Sequence, residues 1–238
     1  MGNLEDERKR KVLASAFDND PMHPISLART ANSPFRILCL GAHSDDIEIG
    51  CGGTVLRLQQ EIPNSLFHWV VFSAPGVRAD EARQGAKEFV PAPALAGLHL
   101  KNFQDGLIPA FNADVKAIFE ELKQSVSPDI IFTHNRNDAH QDHKLLAEMT
   151  WNTFRDHLIL EYEIPKYDGD LGQPNFFVHL PKQTCEQKIS LIMDTFRSQH
   201  SRRWFRPDTF LSLLRLRGME CNAADGYAEG FYCRKMVL

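Results

Sequence analysis

An α/β fold built on an open, mostly parallel sheet is what this chain predicts, and three observations carry that expectation. Short apolar runs recur, among them Ile37-Leu38-Cys39-Leu40, Leu66-Phe67-His68-Trp69-Val70-Val71-Phe72 and Asp129-Ile130-Ile131-Phe132. Runs that are apolar nearly throughout suit strands buried on both faces. Helical patterns separate them, as in successive βα units. The length agrees: 238 residues with 43% hydrophobic content can bury one sizeable core, which is ordinary for a single α/β domain.

Taken in order, residues 1–34 are highly charged from Met1 to Lys11 and then polar, with Pro21, Pro24 and Pro34. They predict a leading helix or arm ahead of one domain spanning 35–238, either docked or frayed. The first strand runs into Gly41-Ala42-His43-Ser44-Asp45-Asp46-Ile47-Glu48, then Gly50, Gly52 and Gly53, then a helix through Thr54–Gln60. Those glycines let the backbone pass close to the sheet. A phosphate cradle is weakly supported, because G-x-G-x-x-G and a Walker lysine are both missing. Residues 66–72 form the second strand, and a helix over 78–89 opens at Arg78. Leu98-His99-Leu100 is the third strand, leaving through Phe103-Gln104-Asp105-Gly106. His68 and His99 are expected to be packed histidines rather than ligands. Val115, Ile118, Phe119 and Leu122 fall on one helical stripe. Pro128 ends that connection, and residues 129–133 form the fourth strand. It feeds Thr133-His134-Asn135-Arg136-Asn137-Asp138-Ala139-His140-Gln141-Asp142-His143, after which a helix starts at His143. Residues 158–160 and 176–178 are strand-like. The Gly/Pro/Asp loop over 164–174 between them either covers a site or simply connects. Cys185, Ile189, Ile192, Met193 and Phe196 make another helical stripe. Finally, Arg202, Arg203 and Arg206 surround Trp204 and Phe205, as a surface or subunit contact or as a seat for an anionic substrate group.

Bulk properties exclude several classes. A net charge of −4 gives no general grip on nucleic acid. Five scattered cysteines are an odd count and argue against a disulfide framework, so reduced thiols and a cytoplasmic home are expected. The N-terminal stretch has no apolar signal core, and no apolar run is long enough to span a bilayer.

The chemistry lies in two loops. One imidazole and three carboxylates follow the first strand, and a second His/Asp-rich stretch follows the fourth. In a doubly wound sheet both loops lie on the rim where ligands bind. Three protein ligands plus a water make a catalytic zinc site, and His43, Asp46 and His143 would supply them. A spare carboxylate beside the metal can act as general base. The plainer alternative is that Asp, Ser and Gly cap a helix there and the histidine only hydrogen-bonds. Closed Cys-rich zinc is unsupported, since no C-x-x-C pair exists.

At these clusters the chain resembles the LmbE-like (PIG-L) de-N-acetylases, zinc-dependent hydrolases that remove acetyl groups from amino sugars. Their A-H-P-D-D motif stands here as Ala42-His43-Ser44-Asp45-Asp46, and their H-x-D-H motif as His140-Gln141-Asp142-His143. Ser44 departs from the usual Pro but removes no functional group. The resemblance implies a Rossmann-like three-layer fold with the metal site at the C-terminal ends of the strands. It implies that His43, Asp46 and His143 hold Zn²⁺ or another divalent ion. Asp45 would be the base, a protonated His140 would stabilise the charged intermediate, and Asp142 would orient His140. Arg78-Ala79-Asp80-Glu81-Ala82 resembles a segment whose Arg contacts substrate. Asp105-Gly106 resembles one whose Asp binds a sugar hydroxyl, and Gly226-Tyr227-Ala228-Glu229-Gly230-Phe231 resembles a C-terminal Y-A-E-A-F. The implied partner is a small N-acetylated sugar or sugar conjugate, with a homo-oligomer left open. Two other readings stand beside it: an amidase on another amide, such as a thiol conjugate, and a non-catalytic nucleotide-binding α/β module.

Overall fold

The computed structural model describes residues 33–237. The expected leading arm, up to residue 32, falls outside the described residues. Seven strands form one sheet in the order β3-β2-β1-β4-β5-β7-β6. They are β1 (Phe35–His43), β2 (Ser65–Ser73), β3 (Leu95–Leu100), β4 (Ile130–His134), β5 (Leu158–Tyr162), β6 (Phe176–His179) and β7 (Ala228–Cys233). Strands β1 to β5 pair in parallel, while β7 runs antiparallel to both β5 and β6. The helices are α1 (Asp46–Glu61), α2 (Val77–Phe89), α3 (Asn112–Ser125), α4 (Gln141–Thr153), α5 (Lys182–Thr195) and α6 (Pro207–Glu220). The fold is the expected Rossmann-like α/β arrangement.

Alternation along each strand divides the core in two. Ile37 and Cys39 face one layer with Trp69, Phe132 and Tyr162, covered by α1, α2 and α5. Leu38 and Leu40 face the other with Val70, Phe72 and Ile131, covered by α3 and α4. Chain order reverses where β1 and β4 lie side by side, and the crevice outside their carboxyl ends is where such sheets bind ligands.

Two elements were not anticipated. The Ala228–Cys233 strand carries a buried Glu229 and Gly230, so it lacks an apolar run. The Pro207–Glu220 helix buries only Phe210, Leu214, Arg217 and Gly218, a narrow face with a cation in it. Helix α1 also begins earlier than expected, at Asp46. It lies close against the sheet because Gly50 packs on the Tyr162 ring, where no Cβ fits. Glu229 anchors the same helix. Its carboxylate accepts Gly53 N at 2.8 Å, Thr54 N at 2.7 Å, Thr54 Oγ1 at 2.6 Å and Lys188 Nζ at 2.6 Å.

Candidate metal centre

Only Ser44 and Asp45 separate the end of β1 at His43 from the start of α1 at Asp46. His43 N donates to Asp46 Oδ2 at 2.6 Å, which folds that carboxylate back over the strand end. On the neighbouring strand, β4 ends at His134, His140 caps α4, and His143 sits in the helix's first turn. The two loops therefore meet. His43 Nδ1 lies 3.1 Å from His143 Nε2 and 3.4 Å from Asp46 Oδ2, and His143 Nε2 lies 3.6 Å from Asp46 Oδ2. Ligands about 2.0–2.1 Å from an ion stand about 3.0–3.4 Å apart, so the three atoms nearly match the edges of a coordination shell.

The outward ring nitrogens explain why this triangle suits a cation. His43 Nε2 faces Asp105 Oδ1 at 3.0 Å and Asp142 Oδ2 at 3.1 Å. His143 Nδ1 faces Asp138 Oδ2 at 2.9 Å. Those carboxylates hold the ring protons on the outer side, which leaves lone pairs pointing inward. Lone pairs at this spacing repel unless positive charge lies between them. The field at the triangle is negative and favours positive charge there. Burial disfavours a charged His43, yet Asp46 and the hydrogen bonds to Asp105 and Asp142 raise its pKa well above the usual value. Burial would raise Asp46, but His143, His134 and His43 together hold it well below the ordinary carboxylate range. The residues present fit a divalent metal.

Around this triangle lie the other expected residues. Asp45 is buried, makes no helix-cap hydrogen bond, and accepts Arg78 NH2 on Oδ1 at 2.9 Å. Its pKa is raised, because burial outweighs Arg78 and Asp46 adds repulsion. Arg78 also reaches Asp105 Oδ2 at 3.4 Å. Asp105 is held to about 2, chiefly by its hydrogen bond with His43. The His140 ring stands 5.0 Å from that of His43 and 4.6 Å from that of His143. Burial and these two rings lower its pKa. Glu48, the third carboxylate of the first motif, does not join the cluster. It is buried near Gly85 and Phe196 without a side-chain hydrogen-bond partner among the described residues, and burial pushes its pKa well up, toward the neutral acid.

Asp142 requires a correction. Its carboxylate does not bond to His140 but accepts Gly106 N at 2.7 Å and Ile108 N at 3.1 Å and faces His43 Nε2. Two backbone donors from the turn after β3 hold it there, so it orients His43. What reaches His140 Nδ1, at 3.3 Å, is the backbone N–H of Asp142.

The residues not assigned a role from sequence are His134, Asp138 and Lys166. Asp138 lies in the loop between β4 and α4, five positions before His143, and nothing local marks it as that residue's partner. Burial works against its ionisation, and the hydrogen bond to His143 with Lys166 nearby holds its pKa low. Lys166 Nζ spans Asp138 Oδ2 at 3.0 Å and Asp170 Oδ2 at 2.6 Å, and Asp170 also accepts Ala139 N at 2.7 Å. The Gly/Pro/Asp loop is thereby clamped beside the centre. Arg202, Arg203 and Arg206 are exposed and form no ion pair among the described residues. Their loop is braced by Glu81, which accepts Ser198 N at 2.8 Å, and by Tyr167 Oη, which accepts Arg203 N at 3.3 Å.

The family model of GlcNAc-PI de-N-acetylase (PIG-L) matches residues 38–154, which include both clusters. The uncharacterized deacetylase YaiS of Escherichia coli (strain K12) is 30% identical over 149 residues, 59% of this chain and 80% of that protein. Among solved structures, N,N'-diacetylchitobiose deacetylase from Pyrococcus horikoshii aligns with a TM-score of 0.66 at 19% identity, covering 96% of this chain and 92% of that one. GalB, the 4-carboxy-2-hydroxymuconate hydratase from Pseudomonas putida KT2440, aligns with a TM-score of 0.68 at 15% identity, covering 86% and 98%. Such distant structures share the fold, and the fold alone does not choose an activity. Among the described residues no helix is long and apolar enough to cross a membrane. Because the matched span contains both clusters and the bacterial relative is covered over most of its length, the chain belongs to the PIG-L (LmbE-like) de-N-acetylase family.

Proposed function

We propose that this chain is a metal-dependent hydrolase that removes an N-acetyl group from an amino sugar or amino-sugar conjugate. The observation that carries this reading is Asp45, a buried carboxylate beside the triangle that is held by Arg78 instead of taking a ligand position. A purely structural metal site has no use for such a group.

His43, Asp46 and His143 would hold zinc or another divalent ion, which when bound lowers the pKa of a water and polarises a carbonyl. Asp45 takes the proton of the attacking water. A raised pKa suits a base that must keep the proton long enough to hand it to the leaving amine. Arg78 fixes one Asp45 oxygen and, with Asp105, lines the mouth where a sugar hydroxyl would bind. His140 accepts the Asp142 N–H on Nδ1, so its neutral ring carries the proton on Nε2. From there it donates to the developing oxyanion. Burial and the rings of His143 and His43 lower its pKa, which favours the neutral ring in that role.

Metal content together with acetate release from a panel of N-acetylated sugars, sugar nucleotides and thiol conjugates tests this reading. The expected result is one divalent ion per chain and acetate release that a chelator abolishes and added metal restores. Turnover of thiol conjugates alone would move the assignment to another amidase. A metal-free protein indifferent to chelator would leave the non-catalytic module.

A further inference from the structure

His134 has no part in the chemistry above, yet its ring touches two of the ligands, Asp46 and His143, and the backbone of the residue before the third. We propose that His134 is a positioning residue that sets the geometry of the ion-binding triangle without binding the ion, an inference that rests on the metal-binding reading above. His134 closes β4 and is fully buried. One face of its ring stacks on His143, with centroids 3.9 Å apart and planes 20° apart. Its Nε2 lies 3.2 Å from Asp46 Oδ2. The same nitrogen lies 3.0 Å from the backbone N of Ala42, the residue before His43. Tyr162 meets the ring edge-on, with centroids 4.8 Å apart, and its hydroxyl, which donates to Leu40 O at 2.6 Å, lies 3.2 Å from His134 Nε2. A single wedged ring thus holds the register of three ligands that come from two distant loops.

The surroundings of Nε2 favour positioning over ligation. The Ala42 N–H is directed at the lone pair that an ion would need. Nδ1 is buried and has no partner among the described residues. Three groups converge on Nε2, the Ala42 N–H, Asp46 Oδ2 and the Tyr162 hydroxyl, and as acceptor from Ala42 N it has no lone pair left for an ion. Without Nε2, the buried Ala42 N–H loses its acceptor and Asp46 Oδ2 is left with the backbone N–H of His43, and without the ring His143 loses the surface that fixes its tilt. Outer partners of this kind are typically worth about 10- to 100-fold in metal affinity.

His134→Phe keeps an aromatic ring and removes Nε2, whereas His134→Gln keeps a polar atom and removes the ring. Zn²⁺ affinity is measured by competition with a chelating dye, and ligand geometry by the visible spectrum of the Co²⁺-substituted protein. We expect His134→Phe to bind about 10- to 100-fold more weakly, with altered cobalt bands and a fall in kcat at nearly constant KM. His134→Gln, which also takes away the surface under His143, should weaken binding at least as much. Wild-type affinity and an unchanged cobalt spectrum in His134→Phe overturn the proposal while leaving the proposed function intact. A wild-type protein that binds no divalent ion overturns both. If His134→Phe does not fold, NMR of the wild-type protein loaded with magnetically active cadmium still decides. Coupling from the metal to the imidazole nitrogens of His43 and His143 but not to His134 is expected, and coupling to His134 makes it a ligand and ends the proposal.

Discussion

Asp45 and Asp46 are adjacent carboxylates that their neighbours push in opposite directions. Three imidazoles hold Asp46 in its charged form, while burial raises Asp45 against the pull of Arg78. Divergent pKa values of this kind separate a ligand from a base. Asp45→Asn should therefore retain its metal and lose about 10²-fold or more in kcat, measured by acetate release beside elemental analysis. Wild-type turnover in that variant would refute the base. His143→Ala should instead lose the metal, and full occupancy there would remove His143 from the ligand set. Far from the centre, His68 has its pKa lowered by burial, with His99 and Arg36 adding repulsion. A histidine that binds protons less tightly when folded adds stability above its unfolded value of about 6.5, and that stability is lost as pH falls below it. The fall in Tm between about pH 7 and pH 5.5 should be shallower in His68→Gln than in wild type, and equal slopes would show that His68 does not contribute.

At the scale of elements, α1 carries the site and is held by groups remote from it. Glu229 takes both its backbone N–H groups at Gly53 and Thr54 and the ammonium of Lys188, whose remaining bond is to Ile49 O at 2.6 Å. Glu229→Ala leaves a buried, unpaired lysine, which typically costs about 3–5 kcal/mol. A denaturant midpoint close to wild type would show that this pair is dispensable. Glu229 therefore explains the C-terminal resemblance structurally, since it braces the helix and does not touch the ligands. Gly50 has a related task. Any Cβ there would push on Tyr162, which in turn meets His134, so Gly50→Ala should lower stability by about 1–3 kcal/mol.

For the whole molecule, the centre joins residues 100 positions apart in the chain, His43 and His143. An ion that binds only the folded chain stabilises it by mass action, about 2.7 kcal/mol at a free concentration 100-fold above Kd. In a domain of this size each kcal/mol shifts Tm by about 2–4 °C, so saturating metal should raise Tm by roughly 5–10 °C and chelator should reverse it. A Tm indifferent to both would mean that the loops close without an ion.

The sequence by itself determined the parallel strands, the βα order and the two loops that hold the chemistry. Each is local: a run buried on both faces reads as a strand, and ligand types gather within a few residues of a strand end. The second-motif histidines and Asp45-Asp46 were legible for that reason. Only the tertiary structure decided which polar group meets which. Asp142 turns to His43 because the 106–108 turn supplies two backbone donors, and Asp138 rather than Asp142 backs a histidine of its own loop. The Lys166 clamp, the His134 wedge and the Glu229–Lys188 brace join segments far apart in the chain. Periodicity reports how deeply a residue is buried, but the partner of a buried charge depends on which strands lie side by side, and that adjacency is set by the packing of the whole sheet.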